Sequence, residues 1–384
     1  MSRSAKGVLS IVGSLYGDAL KIVQLVTRNC TGGVQVVAGI LDSGFCRAGN
    51  DSSVWFFCDS DEQILPLPNA KFLFQSKPNQ LYYLRLLWRL FWQFRREKPD
   101  IVLAHTTNTA VPGLLLATLA GIKKRVAVQH NPLDTYSFLA RTADRQCANL
   151  GIYWRNVVVA NAVLKTTAGY TDRAANHVRL IHNGMPMPLQ SSKFEIGDRQ
   201  VLYRKFHLPP DGPLVAAIGR LAEQKNVGTL IEVMRPLKNV TLAIAGDGPL
   251  RETIQEQIIA AGLDKNIHML GVLSATEVRQ LLRASDIFVT PSHFEAMPMT
   301  VLEAMQEGAV IIASDIEAHQ ELIGESGILV PATADNFRDE LLRLLYDPAL
   351  CAELSERAVR RASLFTDDAM LKSYLALATE ATSS

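Results

Sequence analysis

Glu295 and Glu303 stand with seven residues between them, Ala296 to Leu302. The pattern Met299–Glu307, closed by Gly308, predicts a helix with a glycine cap at its exit. One carboxylate then precedes the helix and the other rides on it, so each can meet a different part of one ligand. Sugars and ribose present neighbouring hydroxyls as donors, which ionised carboxylates accept. The first amides of such a helix, those of Met299 and Thr300, are left to solvate phosphate oxygens. A plainer reading makes Glu303 a helix former and nothing more.

The second set is cationic. Ile218–Gly219–Arg220–Leu221 closes an apolar run, and Lys225 follows at the start of the next helical pattern. A guanidinium and an ammonium beside free backbone amides make a receptor for a diphosphate, although a solvated loop would use the same residues. Ala245–Gly246–Asp247–Gly248–Pro249 permits a close backbone approach and would serve equally as a strand-to-helix corner. Thr31–Gly32–Gly33–Val34 could bring backbone near the phosphates or an acceptor. His130 closes another apolar run, and a lone histidine there can be structural or functional. Asp59–Ser60–Asp61 reads as a polar loop, and no metal requirement is expected.

The elements that must position these residues alternate between short β-branched runs and helical patterns, so the class is α/β with parallel sheets. Strands are expected at Lys21–Thr27, Val54–Cys58, Asp100–Ala104, Val126–His130, Val157–Ala160 and Val178–Ile181. The second half repeats the plan at Leu214–Gly219, Val240–Ala245, Ile267–Leu270, Ile287–Thr290, Val310–Ala313 and Ile328–Val330. Open sheets of this kind bind ligands outside the carboxyl ends of their strands, where the residues above fall.

Prolines in Met185–Pro188 and the polar stretch Gln190–Asp198 mark a linker. The expected plan is a leader at 1–20 that is poorly ordered, domains at 21–190 and 191–365, and a helix at 366–384 reaching back to the first domain. A chain of 384 residues has the length for two cores. The balance of 39 basic against 38 acidic residues excludes the global field of a nucleic-acid binder. Five scattered cysteines read as reduced thiols in a cytoplasmic protein. No stretch reaches the length and apolarity of a transmembrane helix.

Taken together, Gly219–Arg220–Leu221 with Lys225, Ala245–Pro249, Leu270–Gly271, Ala284–Ser285–Asp286 with Pro291–Ser292, and the Glu295 to Glu303 pair resemble the donor domain of family 4 glycosyltransferases. The first half resembles that family more loosely, through Thr31–Gly32–Gly33, Pro99–Val102 with Ala104–His105, His130 and Ile181–Gly184. The resemblance implies the GT-B fold, two Rossmann-like domains facing each other across a cleft, and retaining sugar transfer from a nucleotide-diphosphate sugar. It implies that Arg220 and Lys225 hold the diphosphate and stabilise the charge that grows on it. Glu295 would touch the transferred sugar, Glu303 the ribose, and the backbone about Met297, Pro298, Met299 and Thr300 the phosphates, with Gly32, Gly33, Gly219 and Gly246 lining the donor. His130 would lie near the reacting sugar.

Retention in this family is explained by front-face attack in which the leaving phosphate takes the acceptor proton. Neither a base, a metal nor a cofactor is then needed, and Glu295 is not assigned as a nucleophile. Two departures stand out: Ala296 replaces the usual glycine and would be strained at positive φ, and Met297–Pro298 replaces Phe-Gly.

Residues 82–96 are dense in aromatic and basic side chains. They read either as a helix buried on one face or as a peripheral contact with the inner face of a membrane, in which case the acceptor is a lipid-linked saccharide. Otherwise a saccharide acceptor is expected, and no nucleic acid. The alternatives to sugar transfer are a sugar-nucleotide epimerase or hydrolase on the same fold, and a non-catalytic nucleotide-sugar-binding partner.

Overall fold

The computed structural model describes residues 19–29, 32–58, 67–74, 80–188 and 196–381. Most of the leader, Cys30, Thr31, Asp59–Ser60–Asp61 and residues 189–195 of the linker region lie outside the described residues. The chain divides into two compact units, Met1–Met185 with Thr366–Ser384, and Pro186–Phe365.

The first unit is built on seven strands: β1 (Lys21–Arg28), β2 (Asp51–Cys58), β3 (Ala70–Phe72), β4 (Ile101–His105), β5 (Lys124–Gln129), β6 (Arg155–Val158) and β7 (Val178–Leu180). All pair in parallel, in the order β3-β2-β1-β4-β5-β6-β7. Helices cover the sheet, and strands buried in this way carry nearly continuous apolar runs. Gln24 in β1 and His105 in β4 break that rule, since both are polar and fully buried. Strand β3 escapes the sequence pattern because Ala-Lys-Phe at a sheet edge has neither length nor alternation. Strand β5 ends at Gln129, so His130 is the first residue beyond it.

In the helix Gln80–Glu97, Leu86, Leu90 and Phe94 are buried at four-residue spacing, and Phe94 stacks on Trp55 with ring centroids 5.6 Å apart. The opposite face exposes Leu84, Trp88 and Trp92 beside Arg85, Arg89 and Arg96. The buried face is the one that the first of the two sequence readings expects. No helix among the described residues is long and apolar enough to cross a membrane.

The helix Asp367–Thr379 packs within the first unit. Asp367 N donates to Met185 O at 3.1 Å, and a Cβ on Gly184 would lie 2.0 Å from Thr366 O, so only glycine fits there. Tyr374 is buried, and Glu380 just beyond the helix bonds Arg155 at 2.6 Å.

The second unit holds six parallel strands: β8 (Leu214–Ile218), β9 (Thr241–Ala245), β10 (Ile267–Gly271), β11 (Ile287–Thr290), β12 (Val310–Ser314) and β13 (Ile328–Val330). Their order is β10-β9-β8-β11-β12-β13. The chain runs outward from β8 in one direction and from β11 in the other, so the topology switches between those two strands. Connections leaving in opposite directions open a crevice at the carboxyl ends. In the first sheet the same switch falls between β1 and β4.

Candidate functional site

The loops after β8, β9 and β10 are laced to one another. Gly219 N donates to Ala245 O at 2.9 Å, Gly246 N to Gly271 O at 2.7 Å, and Leu221 N to Asp247 O at 2.9 Å. Gly246 has φ +131, and a Cβ there would lie 1.9 Å from Gly219 O. Gly246 thus lets the β9 loop pass directly against the β8 loop, which fixes the backbone at Gly219 and Arg220. Arg220 itself is exposed, and its guanidinium has no bonded partner among the described residues.

Across the switch point, the turn Glu223–Asn226 is sewn to the segment after β11. Gln224 O accepts from His293 N at 2.8 Å, and Gln224 Nε2 donates to Phe294 O at 2.9 Å and to Glu295 Oε2 at 3.2 Å. Asn226, in the left-handed region with φ +50, donates from Nδ2 to Pro291 O at 3.2 Å. These ties bring the Lys225 ammonium to 2.6 Å from Glu295 Oε1, with both side chains largely buried. The approach lies off the hydrogen-bonding direction, so the contact at Oε1 is an ion pair without an aligned hydrogen bond.

His319 lies close to this pair. Its Nδ1 bonds Ser314 O at 2.8 Å, and its buried Nε2 has no partner among the described residues. Burial pushes its pKa down, while the Glu295 carboxylate acts the other way.

Glu295 leads into the helix Met299–Gln306, whose first residues lack a side-chain cap. Val301 N and Leu302 N both bond Pro298 O, at 3.1 and 3.2 Å, and the amides of Met299 and Thr300 have no backbone partner among the described residues. Glu303 is half-buried on this helix. Burial raises its carboxyl to a pKa of about 7, with Arg279 opposing and Glu307 reinforcing the shift. Glu307 is clamped by Arg279, at 3.2 Å, and by Arg283. Gly308, with φ +71, closes the helix as the sequence implies. Ala296 is buried and lies outside the left-handed region, so the strain foreseen for an alanine does not arise.

In the first unit, Gly32 caps the helix Gly33–Arg47 in an extended conformation and offers no side chain to the cap. His130 is buried, with Nε2 at 2.9 Å from His105 Nδ1 and the two rings stacked. His105 Nε2 lies 2.9 Å from Gln24 Oε1. Burial pushes His130 to a pKa of about 4, and burial together with His130 holds His105 well below the usual imidazole range. Both rings are neutral at physiological pH.

The second unit therefore gathers Gly219, Lys225 and Glu295 at one switch point, with Arg220, Met299, Thr300 and Glu303 on the segments that extend from it. Gly32, Gly33 and His130 belong to the first unit. Sequence reasoning missed two residues, His319, for which the sequence held no signal, and Gln24, a polar residue in the middle of an apolar strand; His105 was read as part of a family motif and not as a partner of His130.

Two family profiles match this chain. Residues 198–361 match the family described as Glycosyl transferases group 1, and residues 31–187 match Glycosyltransferase Family 4. The chain belongs to glycosyltransferase family 4. Among curated relatives, the sulfoquinovosyl transferase of Arabidopsis thaliana is 26% identical over 287 residues, which are 67% of this chain and 52% of that protein. The match thus spans about half the length of the Arabidopsis protein. The UDP-Gal:alpha-D-GlcNAc-diphosphoundecaprenol alpha-1,3-galactosyltransferase of Escherichia coli is 25% identical over 287 residues, 70% of this chain and 72% of that one. Among solved structures, Anabaena HepE in complex with UDP and glucose superposes with a TM-score of 0.80 at 20% identity, over 93% of this chain and 99% of that one. The two parallel-sheet units are those of the GT-B architecture.

Proposed function

We propose that this family 4 chain is a retaining hexosyltransferase, moving a sugar from a nucleotide-diphosphate sugar to a saccharide or lipid-linked saccharide in cell-surface polysaccharide or glycolipid biosynthesis. The Lys225–Glu295 ion pair at the β8/β11 switch point carries the reading. An ammonium there neutralises a diphosphate, and the adjacent carboxylate keeps an acceptor site for sugar hydroxyls. Arg220 adds a second cation, the Met299 and Thr300 amides meet phosphate oxygens, and Glu303 takes the ribose hydroxyls.

In the transfer the bond from the anomeric carbon to the phosphate oxygen breaks as the acceptor oxygen attacks from the same face. The acceptor proton passes to the departing phosphate, whose growing charge Arg220 and Lys225 stabilise. No metal is assigned to the step. On this reading His130 is the first unit's own contact for a carbohydrate hydroxyl. The UDP of the Anabaena complex and the UDP-Gal of the E. coli relative support a uridine nucleotide.

Lys225→Ala and Glu295→Ala are expected to lower donor consumption by about 10²–10³ while the circular dichroism of the fold is kept. Wild-type rates in either variant would remove the site from the reaction. Full-rate donor consumption without any acceptor would point instead to a hydrolase or epimerase.

The exposed face of the helix Gln80–Glu97 supports a lipid-linked acceptor and a peripheral place on the cytoplasmic face of a membrane. Leu84, Trp88 and Trp92 are suited to the headgroup boundary, and Arg85, Arg89 and Arg96 to anionic lipid.

A further inference from the structure

The first sheet has its own switch point, between β1 and β4, and three polar side chains are buried there in a row. Their hydrogen bonds have a fixed direction. Gln24 Nε2 donates to Ala38 O at 3.1 Å; turning the amide over would set two acceptors against each other. Gln24 Oε1 therefore faces His105, and His105 Nε2 must carry a proton to fill that 2.9 Å contact. A neutral imidazole has one N–H, so His105 Nδ1 holds a lone pair and accepts. The proton in the 2.9 Å contact to His130 then belongs to His130 Nε2. By the same count, His130 Nδ1 is unprotonated and carries a lone pair.

A second, independent observation falls at the same place. Thr106, directly after His105, has φ +78, a conformation that costs a β-branched residue free energy, and its Oγ1 is buried with no partner among the described residues. Thr106 N donates to Val128 O at 2.8 Å, which holds the strained turn against the end of β5, next to His130.

We propose that Gln24 and His105 are positioning residues that lock the tautomer of His130, holding its Nδ1 as a bare acceptor for a carbohydrate hydroxyl at the carboxyl edge of the first sheet. This rests on the reading of His130 as a sugar contact. The device distinguishes His130 from Arg220 and Lys225, because it supplies a neutral acceptor and never a cation for phosphate. A hydroxyl that donates to Nδ1 is recognised; a sugar lacking that hydroxyl forgoes the bond.

Two-bond 1H–15N correlation spectra of the full chain with 15N-labelled histidine, with His130 assigned through His130→Gln, read the tautomer directly. The expected result is His130 protonated at Nε2 and bare at Nδ1, unchanged across about pH 5.5–8.5. A proton on Nδ1, or an imidazolium in that range, overturns the proposal. His105→Asn keeps an oxygen acceptor where Nδ1 stood, so it is expected to keep the tautomer and to hold kcat within about threefold of wild type. His105→Leu and Gln24→Leu release the lock; a mixed tautomer and a kcat about tenfold lower at little-changed donor KM are expected. Equal losses in His105→Asn and His105→Leu would reduce the row to a packing role and also overturn the proposal. The spectra need no substrate, so they fail or succeed apart from the sugar-transfer reading, whose own failure shows as unaltered rates in Lys225→Ala.

Discussion

Glu303 is a carboxyl whose environment works against its charge. Its pKa of about 7 exceeds the ordinary value of 4.5, so between these values the folded chain binds the proton that the unfolded chain has released. Stability contributed at this position is therefore lost as pH rises from about 4.5 through 7, on the order of 2–3 kcal/mol for a shift of this size. Glu303→Gln is expected to flatten that slope in urea titrations run across the same window. Binding has the opposite sign. On the proposed reading ribose hydroxyls donate to the ionised form, so UDP affinity is expected to rise by up to about tenfold between about pH 6 and pH 8 in calorimetry. The same titration of Glu303→Gln isolates this from protonation of the nucleotide itself.

Lys225 and Glu295 lie 70 positions apart in the chain, and nothing in their local sequence pairs them. What could be read beforehand was that each follows a strand; that β8 and β11 are neighbours became visible only in the sheet order. The same holds for His130, legible as a strand-end histidine while its pairing with His105, another strand-end residue, and the amide of Gln24 inside an apolar run showed only in the folded sheet.

At the scale of elements, the three glycine loops after β8, β9 and β10 place the cationic side of the site. A Cβ on Gly246 would collide with the Gly219 carbonyl and would need a backbone conformation that alanine resists. Gly246→Ala is expected to destabilise the second unit by about 3 kcal/mol or more, measured by urea unfolding, and to weaken nucleotide binding by displacing Arg220. Strand β11 was legible to the residue because Asp286 and Pro291 bracket four apolar or β-branched residues; β3 was not, because it is short, half-exposed and at an edge. The helix Gln80–Glu97 carries two apolar faces, of which the sheet covers one. Trp88→Ser with Trp92→Ser is expected to abolish flotation with anionic vesicles while leaving turnover of a water-soluble acceptor unchanged; flotation equal to wild type would leave the exposed face without that role.

For the whole molecule, the alternation of strands and helices made two parallel-sheet units legible from the start. The attachment of the last helix is a matter of particular residues: Gly184 without a side chain, Leu371 against Gly44, Tyr374 buried and Glu380 on Arg155. Deleting residues 366–384 is expected to lower the melting temperature of the first unit by several degrees while the second keeps its own transition in calorimetry. The central claim is that one nucleotide-sugar site is assembled where β8 and β11 diverge. A crystal structure with UDP bound tests it most directly. The account predicts the diphosphate within hydrogen-bonding reach of Arg220, Lys225 and the amides of Met299 and Thr300, with the ribose on Glu303. A nucleotide seated away from these residues, with the Lys225–Glu295 pair untouched, would contradict it.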